Sequence, residues 1–154
     1  MRKYLMGMMK TMHDRPCRLS IRSMQWAEGD STEEDQLLTG LITEEHGSYV
    51  IKYGESTPDD DEVETVVRIT EPWTYPRVMV ARTGAIVSNM KFAVGERYDF
   101  SYSTSMGDFD FSIVTTNVRF TRKSGKYYLS LNYDLITGNS LISNNEIDYS
   151  IYPE

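Results

Sequence analysis

The side chains in this sequence that could do chemistry are few, and most stand alone. His13 and His46 are the two imidazoles. A Ser, Thr or Cys nucleophile needs a base within hydrogen-bond reach, yet His46 sits beside Gly47 in a turn signal and His13 in a Met-rich leader. Solvent is the expected neighbour of both. His13 and Cys17 are four residues apart, but Pro16 breaks the helix that would align them on a metal. No Cys-x-x-Cys or His-Glu-x-x-His spacing occurs. Asp59-Asp60-Asp61-Glu62, followed by Glu64, lacks the spacing that wraps calcium and reads as a solvated loop. Asp108 and Asp110 share a strand face with nothing apolar beside them to raise a pKa. No acid/base pair suited to catalysis emerges, so an enzymatic role is left open with the balance against it. Neither a cofactor nor a metal is expected.

Aromatic side chains offer more. Tyr98, Tyr102, Tyr127, Tyr133 and Tyr149 recur on the same alternating parity as Phe100, Phe109, Leu129 and Leu131. If that parity points inward, several phenol hydroxyls need partners inside the fold. Arg82 ends the apolar run Val78-Met79-Val80-Ala81, which places its guanidinium at a rim. There it either anchors an acidic head group or pairs with a rim acid such as Glu71 or Asp99. Arg82, Tyr98, Tyr102 and Tyr133 are therefore the candidate ligand-binding residues. Trp73 and Tyr75, held between Pro72 and Pro76, form either a lid over a mouth or ordinary loop packing.

The elements that must position these residues are strands. Tyr98-Asp99-Phe100-Ser101-Tyr102-Ser103-Thr104 alternates strictly, as does Tyr127 to Leu135. Thr83-Gly84, Gly95-Glu96, Met106-Gly107, Ser124-Gly125 and Gly138-Asn139 punctuate a meander, with Thr83-Gly84 read as a tight hairpin turn. Upstream, strands are expected at residues 18–26, 36–43, 49–53 and 63–70, with Glu28-Gly29-Asp30 opening a charged loop. Between Ile113 and Asn117 the apolar positions change parity, from Phe109, Phe111 and Ile113 to Val114, Val118 and Phe120, which requires a bulge or bend. Eight to ten strands in meander order predict a single all-β, up-and-down antiparallel barrel over residues 17–154. Residues 1–16 are a Met-rich tail or a short capping helix.

Composition narrows the class. A net charge of −7 argues against a nucleic-acid backbone as partner, which needs a basic face. No apolar run approaches the ~20 residues that span a bilayer, so no membrane association is expected. The apolar stretch Tyr4 to Met9 ends at Lys10, short of a signal-peptide core, and the single Cys17 has no intrachain disulfide partner. A cytoplasmic setting is expected.

Arg82-x-Gly84, Lys91-Phe92-x-x-Gly95, Tyr102-x-Thr104-x-x-Gly107, Thr115-Thr116 and Leu131-x-Tyr133-x-Leu135 together resemble the YwiB-like proteins. These are small bacterial β-barrels of calycin (lipocalin-like) type, grouped as a domain of unknown function. The resemblance covers roughly residues 18–152 and implies the barrel fold, a bacterial source and a cytosolic setting. It implies no activity, and the leader and acidic loop fall outside it. An eight-stranded barrel either packs solid or holds one small ligand. The expected function is a non-catalytic binding module for a small apolar or amphipathic ligand; the alternative is a solid barrel that docks a protein partner or a second copy.

Overall fold

The computed structural model describes residues 14–154. Ten antiparallel strands run in order: β1 (Arg15–Ala27), β2 (Asp30–Glu45), β3 (Ser48–Ser56), β4 (Glu62–Thr70) and β5 (Arg77–Gly84), then β6 (Val87–Phe92), β7 (Arg97–Thr104), β8 (Gly107–Lys123), β9 (Lys126–Thr137) and β10 (Ser140–Pro153). Each strand pairs with its neighbours in sequence, and β1 pairs with β10 to close the barrel. The architecture is the single up-and-down barrel that the alternation predicts. β1 starts at Arg15, before the expected boundary; residues 1–13, with most of the predicted leader, lie outside the described residues.

Five hairpins turn on two residues, and in three of them Ala27 faces Asp30, Glu45 faces Ser48, and Lys123 faces Lys126. Their central pairs, Glu28-Gly29, His46-Gly47 and Ser124-Gly125, all have positive φ. That is the type I′ geometry, whose twist matches that of the flanking strands, and glycine takes its second position without strain. The expected loop after Glu28 is thus a tight turn, and Ser31 to Asp35 belong to β2. Thr83-Gly84 is not a turn: Gly84 still faces Val63 on β4, and the chain reverses at Ala85-Ile86. Gly84 has φ of 107°, and a Cβ there would lie 2.6 Å from the Glu62 carbonyl oxygen. Close backbone approach is what requires glycine at this point.

The predicted parity change in β8 is a bulge between Thr115 and Asn117. Its backbone seats the β6–β7 connection, since Gly95 N–H donates to the Thr115 carbonyl (2.9 Å) and Thr115 N–H donates to that of Glu96 (3.2 Å). Beyond the bulge, Val118 and Phe120 return to the interior. The weakest ladder joins β6 to β7, where only Val87–Ser103 and Ser88–Tyr102 pair.

The two ends of the barrel differ. At one end Trp73 stacks on Phe120 with ring centroids 5.2 Å apart and meets Tyr49 edge-on at 5.8 Å, while Phe120 stacks on Tyr127 at 5.7 Å. Above this aromatic cap the interior is filled by Leu19, Ile51, Val67, Phe92, Leu131 and Ile151, all at most 1% exposed. The other end, ringed by the turns at Glu28-Gly29, residues 57–61, Ala85-Ile86, Ser105-Met106 and Gly138-Asn139, is where the packed core stops.

Candidate functional site

Register explains what gathers beneath the open end. Tyr53 faces Thr65, Thr65 faces Arg82, Arg82 faces Ser88, Ser88 faces Tyr102, and Tyr102 faces Phe109. Facing residues in neighbouring strands share a side of the sheet, so these six form one inward belt across β3 to β8. Over the belt opens an apolar cavity of ≈ 430 Å³, walled by Phe100, Phe109, Phe111, Leu135 and Ile147, with Arg82, Tyr102 and Tyr133 presenting polar atoms. An outer vestibule of ≈ 390 Å³ is lined by Glu34, Glu55, Asp59, Asp61, Thr104 and, again, Arg82. Arg82 lies where the two spaces meet.

Its charge is balanced from β3. The Arg82 Nε lies 3.8 Å from Glu55 Oε2, and the same oxygen accepts a 2.9 Å hydrogen bond from the Thr65 hydroxyl. Both charged side chains are largely buried, at 23% and 16% exposure. Burial works to lower the guanidinium's pKa, but Glu55, followed by Tyr53, Tyr149 and Tyr102, outweighs it and the pKa rises. Arg82 is therefore a permanent cation. Below it Tyr53 and Tyr149 share a 3.0 Å hydroxyl hydrogen bond, and burial raises the pKa of each. Burial also pushes the Tyr133 phenol up to about 12, against the opposing pull of Arg82. The chamber thus offers neutral phenols, one cation and one carboxylate.

Two polar atoms on the belt are left over. Arg82 Nε and Ser88 Oγ are both buried and lack a hydrogen-bond partner among the described residues. Ser88 is only 5% exposed and faces inward on β6 beside Arg82. Native interiors rarely leave such groups unsatisfied; of the two, Arg82 lines both spaces and Ser88 lines neither.

Of the residues singled out from sequence, Arg82, Tyr102 and Tyr133 come together here. Tyr98 does not; it packs against the core further from the mouth, with Lys91 Nζ 5.4 Å from its ring centroid. Arg82 sits inside the wall instead of on the rim, and its acid is Glu55. Neither expected acid is available: Glu71 belongs to the capped end, and Asp99 points outward to Arg97 and Ser112. Trp73 and Tyr75 cap the opposite end, so they are no lid for this mouth. The acidic loop of residues 59–62 forms a defined turn around Thr57, whose side-chain oxygen accepts from the Asp61 amide at 3.1 Å. His46 is an exposed turn residue, and Cys17 is buried, its thiol pushed up to about 12 chiefly by that burial. No cluster of metal-ligating side chains occurs among the described residues.

Sequence reasoning missed Glu55 and Ser88. Tyr49, Ile51, Tyr53 and Glu55 alternate inward along β3, so extending that strand two residues past Tyr53 would have exposed an inward acid. A broader groove of ≈ 780 Å³ on the outside, lined by Arg18, Leu37, Thr39, Lys126 and Tyr152 among others, has one unpartnered buried hydroxyl, that of Thr39, and no acid on its lining to pair with its cations as Glu55 pairs with Arg82. The belt and its cavity are the better candidate.

Fold and cavity together define a closed up-and-down barrel of ten strands, packed at one end and hollow at the other. The chain belongs to the family described as a domain of unknown function, DUF1934, whose model matches residues 19–148. It is similar to the uncharacterized β-barrel protein YwiB of Bacillus subtilis (strain 168), at 24% identity over 123 residues covering 80% of this chain and 83% of that one. The crystal structure of the Bacillus subtilis protein superposes with a TM-score of 0.81 at 20% identity, over 98% of this chain and 99% of the other.

Proposed function

We propose that the chain is a non-catalytic binding module that holds a small apolar or amphipathic molecule in the open end of its barrel. The observation that carries this reading is an aromatic cavity of ≈ 430 Å³ with Arg82 on its wall. Small-molecule sites typically enclose about 300–1,000 Å³ of mostly apolar surface with a few convergent polar groups. Arg82 and the hydroxyls of Tyr102 and Tyr133 orient the polar part of the ligand, and the Phe100, Phe109 and Phe111 rings take its apolar part. Phe109 is 47% exposed without a ligand, and covering it contributes to affinity. The one hydroxyl with a carboxylate in reach beside Arg82, Thr65 on Glu55, is fully buried, so binding is the chemistry these residues support.

The test is native mass spectrometry combined with uptake of a neutral solvatochromic dye such as Nile red. The purified protein should carry excess mass or take up the dye, and Leu135→Trp, which fills the chamber, should abolish both. Equal uptake by the wild-type and Leu135→Trp proteins would place binding elsewhere and defeat the proposal.

A further inference from the structure

We infer that the polar end of the ligand is an uncharged hydrogen-bond acceptor, such as a ketone, ester or hydroxyl oxygen, and that the chamber disfavours carboxylates and amines alike. This names the ligand class of the cavity described above and rests on that reading. Arg82 is the one charged residue on the chamber wall among the described residues. An unpaired guanidinium there would call for an anion. This one already has its counterion, since Glu55 stands 3.8 Å from Nε and both side chains are largely buried. A ligand carboxylate would set two anions against one cation and leave a negative charge buried without compensation. An ammonium would meet Arg82 itself, with Glu55 already engaged.

Hydrogen-bond donors, in contrast, are in surplus. Glu55 faces Nε, which is one donor site of several on a guanidinium, so the terminal nitrogens can serve a second acceptor. Tyr102 and Tyr133 line the same wall, close enough for each to interact with the Arg82 charge. Deeper in, Tyr53 and Tyr149 satisfy each other through their 3.0 Å hydrogen bond, whereas neither chamber phenol has such a partner among the described residues. The rest of the wall is apolar and offers these donors no carboxylate or amide oxygen. Three donor groups thus converge on a space without an acceptor, and a neutral oxygen on an apolar body is what they lack. Glu34, Asp59 and Asp61 in the vestibule are exposed, and salt screens their pull on a passing cation.

Displacement of Nile red by decanol, decanoate and decylamine at neutral pH tests this, since the three share a chain length and differ in head-group charge. About 0.5 M salt in every sample screens the vestibule carboxylates. Decanol should displace the dye at about one-tenth the concentration that either charged compound needs. Any apolar chamber favours decanol to some degree, so the decisive readout is how the ratios move in two variants. Glu55→Gln keeps an acceptor for the Thr65 hydroxyl but removes the counterion of Arg82, and should cut decanol's advantage over decanoate about tenfold. Arg82→Met leaves Glu55 without its cation and should cut decanol's advantage over decylamine about threefold or more, with no gain for decanoate. Should one variant fail to fold, the other carries the comparison. Decanoate or decylamine matching decanol on the wild-type protein, or ratios unmoved in whichever variant takes up dye, would overturn the neutral assignment while leaving the cavity reading intact. A wild-type protein that takes up no dye, or a Leu135→Trp protein that takes up as much, would overturn both.

Discussion

The Arg82–Glu55 pair gives an asymmetry that can be worked from its geometry. At 3.8 Å the attraction is about 4 kcal/mol for an effective dielectric near 20, before the cost of desolvating both groups. Both side chains retain some solvent access, so the net coupling should fall to about 1.5–2 kcal/mol. Removing one partner has unequal consequences. Glu55→Ala leaves a guanidinium that cannot shed its proton, and it also takes the acceptor from the Thr65 hydroxyl. Arg82→Met leaves a carboxylate that keeps the Thr65 bond and can take up a proton, while the Met fills the same space. Glu55→Ala should therefore cost about 2–3 kcal/mol and Arg82→Met about 1 kcal/mol. The double variant should be less destabilised than the sum of the two, by the coupling energy. Urea denaturation of the four proteins at neutral pH measures all of this. If Arg82→Met proved the more damaging substitution, or the two effects simply added, the pair would not be the coupled unit described.

Trp73→Ala should cost about 1–2 kcal/mol, because the ring makes two aromatic contacts but is 54% exposed. Thermal unfolding would register it as a lowered Tm, with dye uptake unchanged; lost uptake would mean that the Trp73 end is the mouth. Alkaline pH should destabilise the protein in a defined window. Cys17 and Tyr133 hold their protons to about 12 in the folded chain, against ordinary values of 9.0 and 10.0. Above those ordinary values the unfolded chain loses protons that the folded one retains, so this contribution is fully present below pH 9 and is lost as pH rises to about 12. Urea midpoints measured at pH 8, 10 and 11 should decline in that order, and midpoints flat across the series would contradict it.

Much of this molecule was legible because barrels write their geometry into parity. Tyr98 to Thr104 and Tyr127 to Leu135 alternate cleanly, and the break at Ile113 to Asn117 located a bulge to within a residue or two. Where alternation was absent, the sequence misled. Ser31 to Asp35 are polar and exposed on both faces, so nothing marks them as strand, yet they pair along β1. Gly84 carries a turn-like signature, but the backbone of Glu62, not a turn, demands it. The partner of Arg82 was hidden for a different reason: Glu55 and Arg82 are brought together by β3–β4–β5 pairing, which no local pattern encodes. Arg82 follows Val78 and Val80 at the inward parity, and that spacing pointed to the interior more firmly than to the rim.

Strand order also bears on how the chain reaches this state. Nine of the ten ladders join strands adjacent in sequence, many across two-residue turns, and each can form over a short loop. The tenth, β1 with β10, brings Leu19 opposite Ile151 and Ile21 opposite Tyr149. Ordering so long an intervening segment carries most of the ring's loop-closure entropy unless the other hairpins are already in place. The barrel is thus, in kinetic terms, a run of local steps followed by one distant weld, and residues of β1 and β10 hold the difference between a curled sheet and a container.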